Sequence, residues 1–332
     1  LRLAGEFEST EATNAVSMSG ELVGLASGQS GLALFDISDL RAGHPEPRSW
    51  WRGGYARDVV LSEDLAFVAG WFDGIRIVDV SDPDTPTEMA AIETGFPFFR
   101  LVLDGEFLYA SYFGNPNVET AIIDVSDPEN PLRASALQGS VLAVAKGFAY
   151  ADWSDSLGQC ALATWDVSDP TNPVDQPTHV KFWGACARCD WPWPGFDRAF
   201  DQDPHRAIAG FASWESQGWV ALGQGGLKLL DLSDPSTPVQ LASLDVNACG
   251  VSSVAATRNI AYVATNSFSG LLVVRGFESG GAFQTSTLPL PGFPTDVVMQ
   301  DGLSITANTT TGMSVMSTRG CVGPLRATGR IQ

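Results

Sequence analysis

Four charged residues of this 332-residue chain stand in pairings that could do chemistry: Arg57 beside Asp58, Arg100 after Phe99, and Asp296 after Thr295. A carboxylate with a raised pKa near a guanidinium is the equipment for proton abstraction from an anionic substrate. Asp58 or Asp296 as base, with Arg57 and Arg100 holding the anion, would suit a hydrolase or lyase. The competing reading is that the four pair with one another and seal a structure, since buried charges are stable only when paired or solvated. A second set is Cys186-Ala187-Arg188-Cys189 with Cys160, Cys249 and Cys321. Two thiolates at that spacing are half of a tetrahedral zinc site, with Cys160, Cys249 and His205 as further donors, or else the cysteines form disulfides that staple a loop. A redox dithiol normally opens a helix, and Pro192 and Pro194 argue against one. The third set is aromatic: Trp71, Phe98, Trp153, Trp183, Trp191 and Trp193 could stack on a sugar, a proline-rich peptide or a quaternary ammonium. The alternative is that these rings pack on one another to order a long loop. With His44, His179 and His205 scattered and no Gly-x-Ser-x-Gly, P-loop or dinucleotide fingerprint, a serine triad or histidine-rich metal centre has no support. No cofactor is required; a metal ion is the one the cysteines would admit.

What must position these residues is a repeat. Ile75-Arg76-Ile77-Val78-Asp79-Val80-Ser81-Asp82-Pro83 recurs as Ala121 to Pro128, Ala163 to Pro170 and Leu227 to Pro235, with a degenerate copy at Leu32 to Asp39. The strand-ending aspartates Asp36, Asp79, Asp124, Asp166 and Asp231 step by 43, 45, 42 and 65 residues. Two more units keep the phase with Arg275 and Ser317 at the marker position, making seven. Each unit holds four short apolar or alternating strands, and four strands per period of about 40 to 45 residues mark a propeller blade. No helix is expected between them. The fold predicted is all-β: a seven-bladed β-propeller of four-stranded antiparallel blades, one domain over residues 1–332. The 65-residue step predicts a long loop insertion at about 182–206, between blades four and five. Either residues 1–12 or Pro324 to Ala327 complete the seventh blade, which removes an exposed edge.

The Ser-Asp-Pro turn has a local cause. Ser and Asp side chains bond downstream amides, while proline fixes φ and withholds a donor, so the strand stops there. On these residues the chain resembles the LVIVD-repeat family, over roughly residues 13–318, strongly in four units and faintly in the last two. The resemblance implies a bacterial or archaeal secreted or cell-surface propeller and carries no catalytic residue across. Turn capping accounts for the paired aspartates (Asp79 with Asp82 and equivalents) without calcium.

Net charge is −19 with pI near 4.3. Such a surface repels phosphate backbones and anionic lipid, which disfavours nucleic acid and membrane surfaces as partners. No apolar run reaches membrane-span length, so insertion is not expected. Leu1 in first place and five cysteines fit an exported chain, extracellular, on the cell surface or periplasmic. Strand alternation puts the second-to-third-strand loops and the blade-to-blade links on one side of the disc and the Ser-Asp-Pro turns on the other. The unusual residues gather on the first side, beside the mouth of the central channel, where Arg57, Asp58, Arg100 and Asp296 fall. The function expected is binding of a protein or glycan by that face; a hydrolase or lyase at the channel mouth and a metal-binding surface protein are the alternatives.

Overall fold

The structure, a computed structural model, describes residues 2–9, 11–114, 117–154, 160–177, 179–182, 208–223, 225–246, 250–257, 260–265, 270–275, 283–309 and 311–317. It is a ring of seven antiparallel sheets, the first six each entered at the innermost strand and left at the outermost. The innermost strands are Ala15–Ser19, Asp58–Ser62, Phe98–Asp104, Ser140–Ala145, Ile208–Trp214, Val251–Thr257 and Pro294–Gln300, and each packs beside the next around the axis. Both faces of a blade are covered by its neighbours, so its middle strands read as continuous apolar runs rather than alternating ones. Every residue of Leu22–Ala26 and of Leu303–Asn308 is buried.

Seven hydrophobic clusters hold the ring, one at each blade-to-blade interface. The seam that closes the circle joins Val23, Leu25 and Phe35 of blade one to Leu303, Ile305 and Val315 of blade seven. The seventh sheet borrows its outer strand from the N-terminus: Arg2–Phe7 pairs antiparallel with Gly312–Ser317. Buried Thr13 locks the seam, its hydroxyl donating to the carbonyls of Asn308 (2.8 Å) and Gly312 (2.6 Å).

On the turn side, one construction recurs. Asp79, Asp124, Asp166 and Asp231 each accept the amide two residues on (2.8 to 3.0 Å), and the intervening residue donates its own amide to the first turn of the blade, as Val80 does to Asp64 (2.8 Å). The second aspartate caps likewise, Asp82 taking the Asp84 amide and the Thr85 hydroxyl. At the start of the third strand, Gly74 sits at φ +81° where a Cβ would meet the Ile92 carbonyl oxygen, so no larger residue fits. Two departures from the sequence reading appear. Blade one replaces the proline turn with a short helix, Ile37–Ala42, capped by Asp36 and ended by Gly43 in the left-handed region. No helix was expected there; without the prolines, Asp36 caps a turn of helix instead of stopping the chain. Blade four divides its outer edge between two short strands, Val174–Asp175 and Val180–Lys181, both paired with Cys160–Asp166. Residues 183–207, where the long insertion between blades four and five falls, lie outside the described residues.

Candidate functional site

At the hub, the inner strands bring Arg57, Asp58, Arg100 and Asp296 into one electrostatic neighbourhood together with Asp152. All four keep some exposure although surrounded by protein, as side chains bordering an axial channel do. The carboxylates are held by amides rather than by the arginines. Asp58 accepts its own neighbour's amide (Val59, 2.9 Å) through Oδ1 and the Leu101 amide of blade three (2.7 Å) through Oδ2. Asp296 repeats the arrangement, taking Val297 and the Ser253 hydroxyl on Oδ1 and the Val16 amide of blade one on Oδ2. Among the described residues, none of the ion pairs within 4.0 Å involves Asp58, Asp296 or Arg100. Arg57 donates to the Asn14 amide oxygen of blade one (3.0 Å), and Arg100 crosses to the Ala209 carbonyl of blade five (2.9 Å), passing over blade four.

Each of these groups therefore joins one blade to another. Burial raises the Asp58 pKa to about 6, with the nearby Asp296 charge adding to it and the two amide bonds and Arg100 opposing it. Burial also raises Asp296, and lowers both arginines, against the pull of the carboxylates. Asp152, which the sequence did not single out, accepts the Ile208 amide of blade five (3.4 Å) and extends the pattern to blade four.

Two adjacent blades build an aromatic surface on the side of the blade-linking loops. Trp71 ends the second-strand hairpin of blade two with φ +58°, a strained value for a tryptophan. Its carbonyl takes the Phe98 amide (3.2 Å), tying that loop to the first residue of blade three. Trp71 meets Phe72 edge-on (centroids 5.7 Å apart) and Phe113 likewise (5.6 Å); Phe113 lies on Phe99 (4.5 Å), and Tyr112 touches both Phe96 (5.1 Å) and Phe98 (5.3 Å). Phe72 is 65% exposed and Phe96 41%, unusual for rings of this size. Exposed Asp73 and Glu93 flank them.

Beneath Phe96, between blades two and three, opens a cavity of about 60 Å³ lined by Ile92, Phe98, Ala121, Ile123 and Pro131 and bounded by Tyr112 and Arg133. The Tyr112 hydroxyl donates to Glu119 and accepts from Arg133 (3.4 Å).

Of the sequence-derived aromatic set, Trp71 stands partly exposed in this surface, while Phe98 is 1% exposed and packs in the core beneath it with Leu101 and Tyr112. Trp153 is in blade four, next to blade three, against His179 (5.4 Å), which pairs with Asp175 (3.1 Å). Trp183, Trp191, Trp193, Cys186, Cys189, Cys249, Cys321 and His205 lie outside the described residues, and of Cys160 only its strand position beside Ser154 is described. Among the described residues no group of three or more His, Cys, Asp or Glu could hold a metal ion. Phe72, Phe96, Tyr112, Phe113 and Arg133 were absent from the sequence-derived set. The available signal was the recurrence of paired aromatics in loops of consecutive blades.

Comparisons with known proteins agree with this architecture. The LVIVD repeat family model matches residues 53–94 and 218–246. The fold is similar to a chain of the mitotic checkpoint complex (11% identity, TM-score 0.66, covering 94% of this chain and 92% of that one). It is similar also to the computationally designed protein Ika8 (9%, TM-score 0.61, 95% and 99%) and to BamB from Moraxella catarrhalis (11%, TM-score 0.55, 97% and 88%). No curated protein sequence matches this chain.

Proposed function

We propose, from the premise that this chain is a seven-bladed propeller built with LVIVD repeats, that it is a binding module for a protein partner, engaged by the loop side of blades two and three. The observation that carries the reading is the pair of exposed rings Phe72 and Phe96, each packed on an aromatic group, Phe72 on Trp71 with Phe113 and Phe96 on buried Tyr112 with Phe98, the two groups being joined by the Phe98-to-Trp71 backbone hydrogen bond. Aromatic rings supply large contact area at low entropic cost. Exposed Asp73 beside the rings and the net charge of −19 favour a partner segment bearing lysine or arginine, drawn in by long-range attraction and held over the rings. The similarity to a chain of the mitotic checkpoint complex supports a protein as partner, since that propeller works inside a protein assembly.

The geometry favours the hydrolase or lyase alternative less, because the oxygens of Asp58 and Asp296 are engaged by amide and hydroxyl donors that tie neighbouring blades together. An exported setting, outside the cell or in the periplasm, goes with the binding reading and draws its support from the five cysteines. The test is selection of random peptides on the immobilised protein, with counter-selection on the Phe72→Ala/Phe96→Ala double variant. Lysine- or arginine-containing peptides that bind the native protein at least about tenfold more tightly than the variant are expected. Peptides that bind both equally would overturn the reading, and enrichment from a glycan array alone would replace the protein by a sugar.

A further inference from the structure

The cavity between blades two and three has features that the aromatic surface alone does not explain. Its walls are apolar, yet its outer end is an arginine. Arg41, Arg48 and Arg76 on the surface each pair with a carboxylate, at 4.0, 2.6 and 3.3 Å. Arg133 is exposed, has no carboxylate within 4.0 Å among the described residues, and donates to the Tyr112 hydroxyl. That phenol is fixed in turn, because its proton goes to Glu119. The chain carries twice as many acids as bases, 38 against 19. A guanidinium that meets the nearest acid, Glu119, only through the shared Tyr112 hydroxyl, and that is braced by that tyrosine at the end of an apolar slot, is arranged to pair directly with a carboxylate from outside.

Volume narrows the occupant further. A cavity of about 150 Å³ holds benzene; this one, at about 60 Å³, takes a branched aliphatic side chain but no ring. Phe96 roofs the cavity and belongs to the exposed aromatic surface, so whatever enters is continuous with a segment lying across that surface. We propose that the cavity receives the C-terminal residue of the partner protein, an aliphatic side chain in the slot and its free α-carboxylate on Arg133. The upstream residues of the same tail, lysine or arginine among them, would lie over Phe96 and Phe72. This rests on the binding reading given above and adds to it a chain terminus as the recognised element.

The probe is the peptide acetyl-Lys-Gly-Lys-Gly-Leu, titrated by calorimetry as the free acid and as the C-terminal amide against the intact protein and its Arg133→Met variant. Arg133 is exposed on an outer strand, and methionine keeps the length of its stem, so the variant is expected to fold; thermal unfolding checks this. The free acid is expected to bind the native protein about tenfold or more tightly than the amide, the factor a lost charge-assisted hydrogen bond costs. In Arg133→Met the two forms are expected to bind alike. Equal binding of acid and amide to the native protein overturns the terminus proposal, while dependence on Phe72 and Phe96 would leave the binding reading standing. Loss of both dependences overturns both. N-acetyl-leucine binding as tightly as the pentapeptide also overturns it, in favour of a small aliphatic acid as ligand.

Discussion

Asp58→Asn tests how the hub is held. In the folded ring Asp58 titrates at about 6 instead of 3.8, because burial and the Asp296 charge disfavour its ionised form. A raised acid pKa means the folded state keeps a proton that the unfolded chain gives up. The stabilisation is complete below the unfolded pKa and lost as pH rises through about 6. At neutral pH the ionised carboxylate therefore costs about 3 kcal/mol relative to its protonated form, from a shift of roughly two pKa units at 1.36 kcal/mol each. Asparagine removes that cost but offers one acceptor to two amide donors, Val59 and Leu101, losing about 1.5 to 3 kcal/mol. Near pH 7.5 the two effects offset and the variant should match the native protein. On acidification to pH 4.5 only the native chain gains, by about 2 kcal/mol from the linkage relation. The carboxylates that cap the turns, Asp79 and Asp124 among them, have lowered pKa values and lose stability as pH falls, but they are common to both proteins and cancel in the difference. Because Asp296 repels Asp58, the change belongs to the coupled pair. In urea, with m at or above 3 kcal/mol per molar for a chain of this size, the midpoint of the variant should fall behind by roughly half a molar between pH 7.5 and 4.5. A gap that stays constant with pH, or one that opens with the opposite sign, would refute the claim that this carboxylate is a desolvated link between blades.

Two further outcomes are expected. Gly74→Ala should destabilise the protein by about 3 kcal/mol, since alanine meets both a left-handed backbone and the Ile92 carbonyl, whereas Gly20→Ala, at φ +56° with open space around it, should cost about 1 kcal/mol; thermal unfolding of the pair checks this, and equal losses would contradict it. Intact mass of the natively purified protein should fall short of the reduced mass by two units per disulfide, with no bound metal by elemental analysis; stoichiometric zinc released by acid would contradict the exported, disulfide-bearing reading.

The fold was legible because the Asp-x-Ser-Asp-Pro turn is local chemistry: its hydrogen bonds run between residues two or three apart, so spacing alone counts blades. The choice of terminus for blade seven was not legible, because pairing Arg2–Phe7 with Gly312–Ser317 is contact across some three hundred residues and both candidate segments were plausible strands. Blade one misled for a related reason. Asp36 stands at the marker position, but without the prolines the same aspartate caps a short helix. At the hub, alignment of the repeats located Asp58 and Asp296, yet their partners are main-chain amides, which carry no side-chain signature. The aromatic surface was legible only in pieces. Trp71 and Phe98 belong to consecutive blades, and only the Phe98-to-Trp71 backbone hydrogen bond shows that their segments meet.

Amide hydrogen exchange with a selected peptide bound shows directly where on the ring a partner docks. Binding should slow exchange in residues 71–74, 93–99 and 111–114 and leave the Ser-Asp-Pro turns at 81–86 and 168–173 unchanged. Protection confined to those turns, or to blades five and six, would contradict the account.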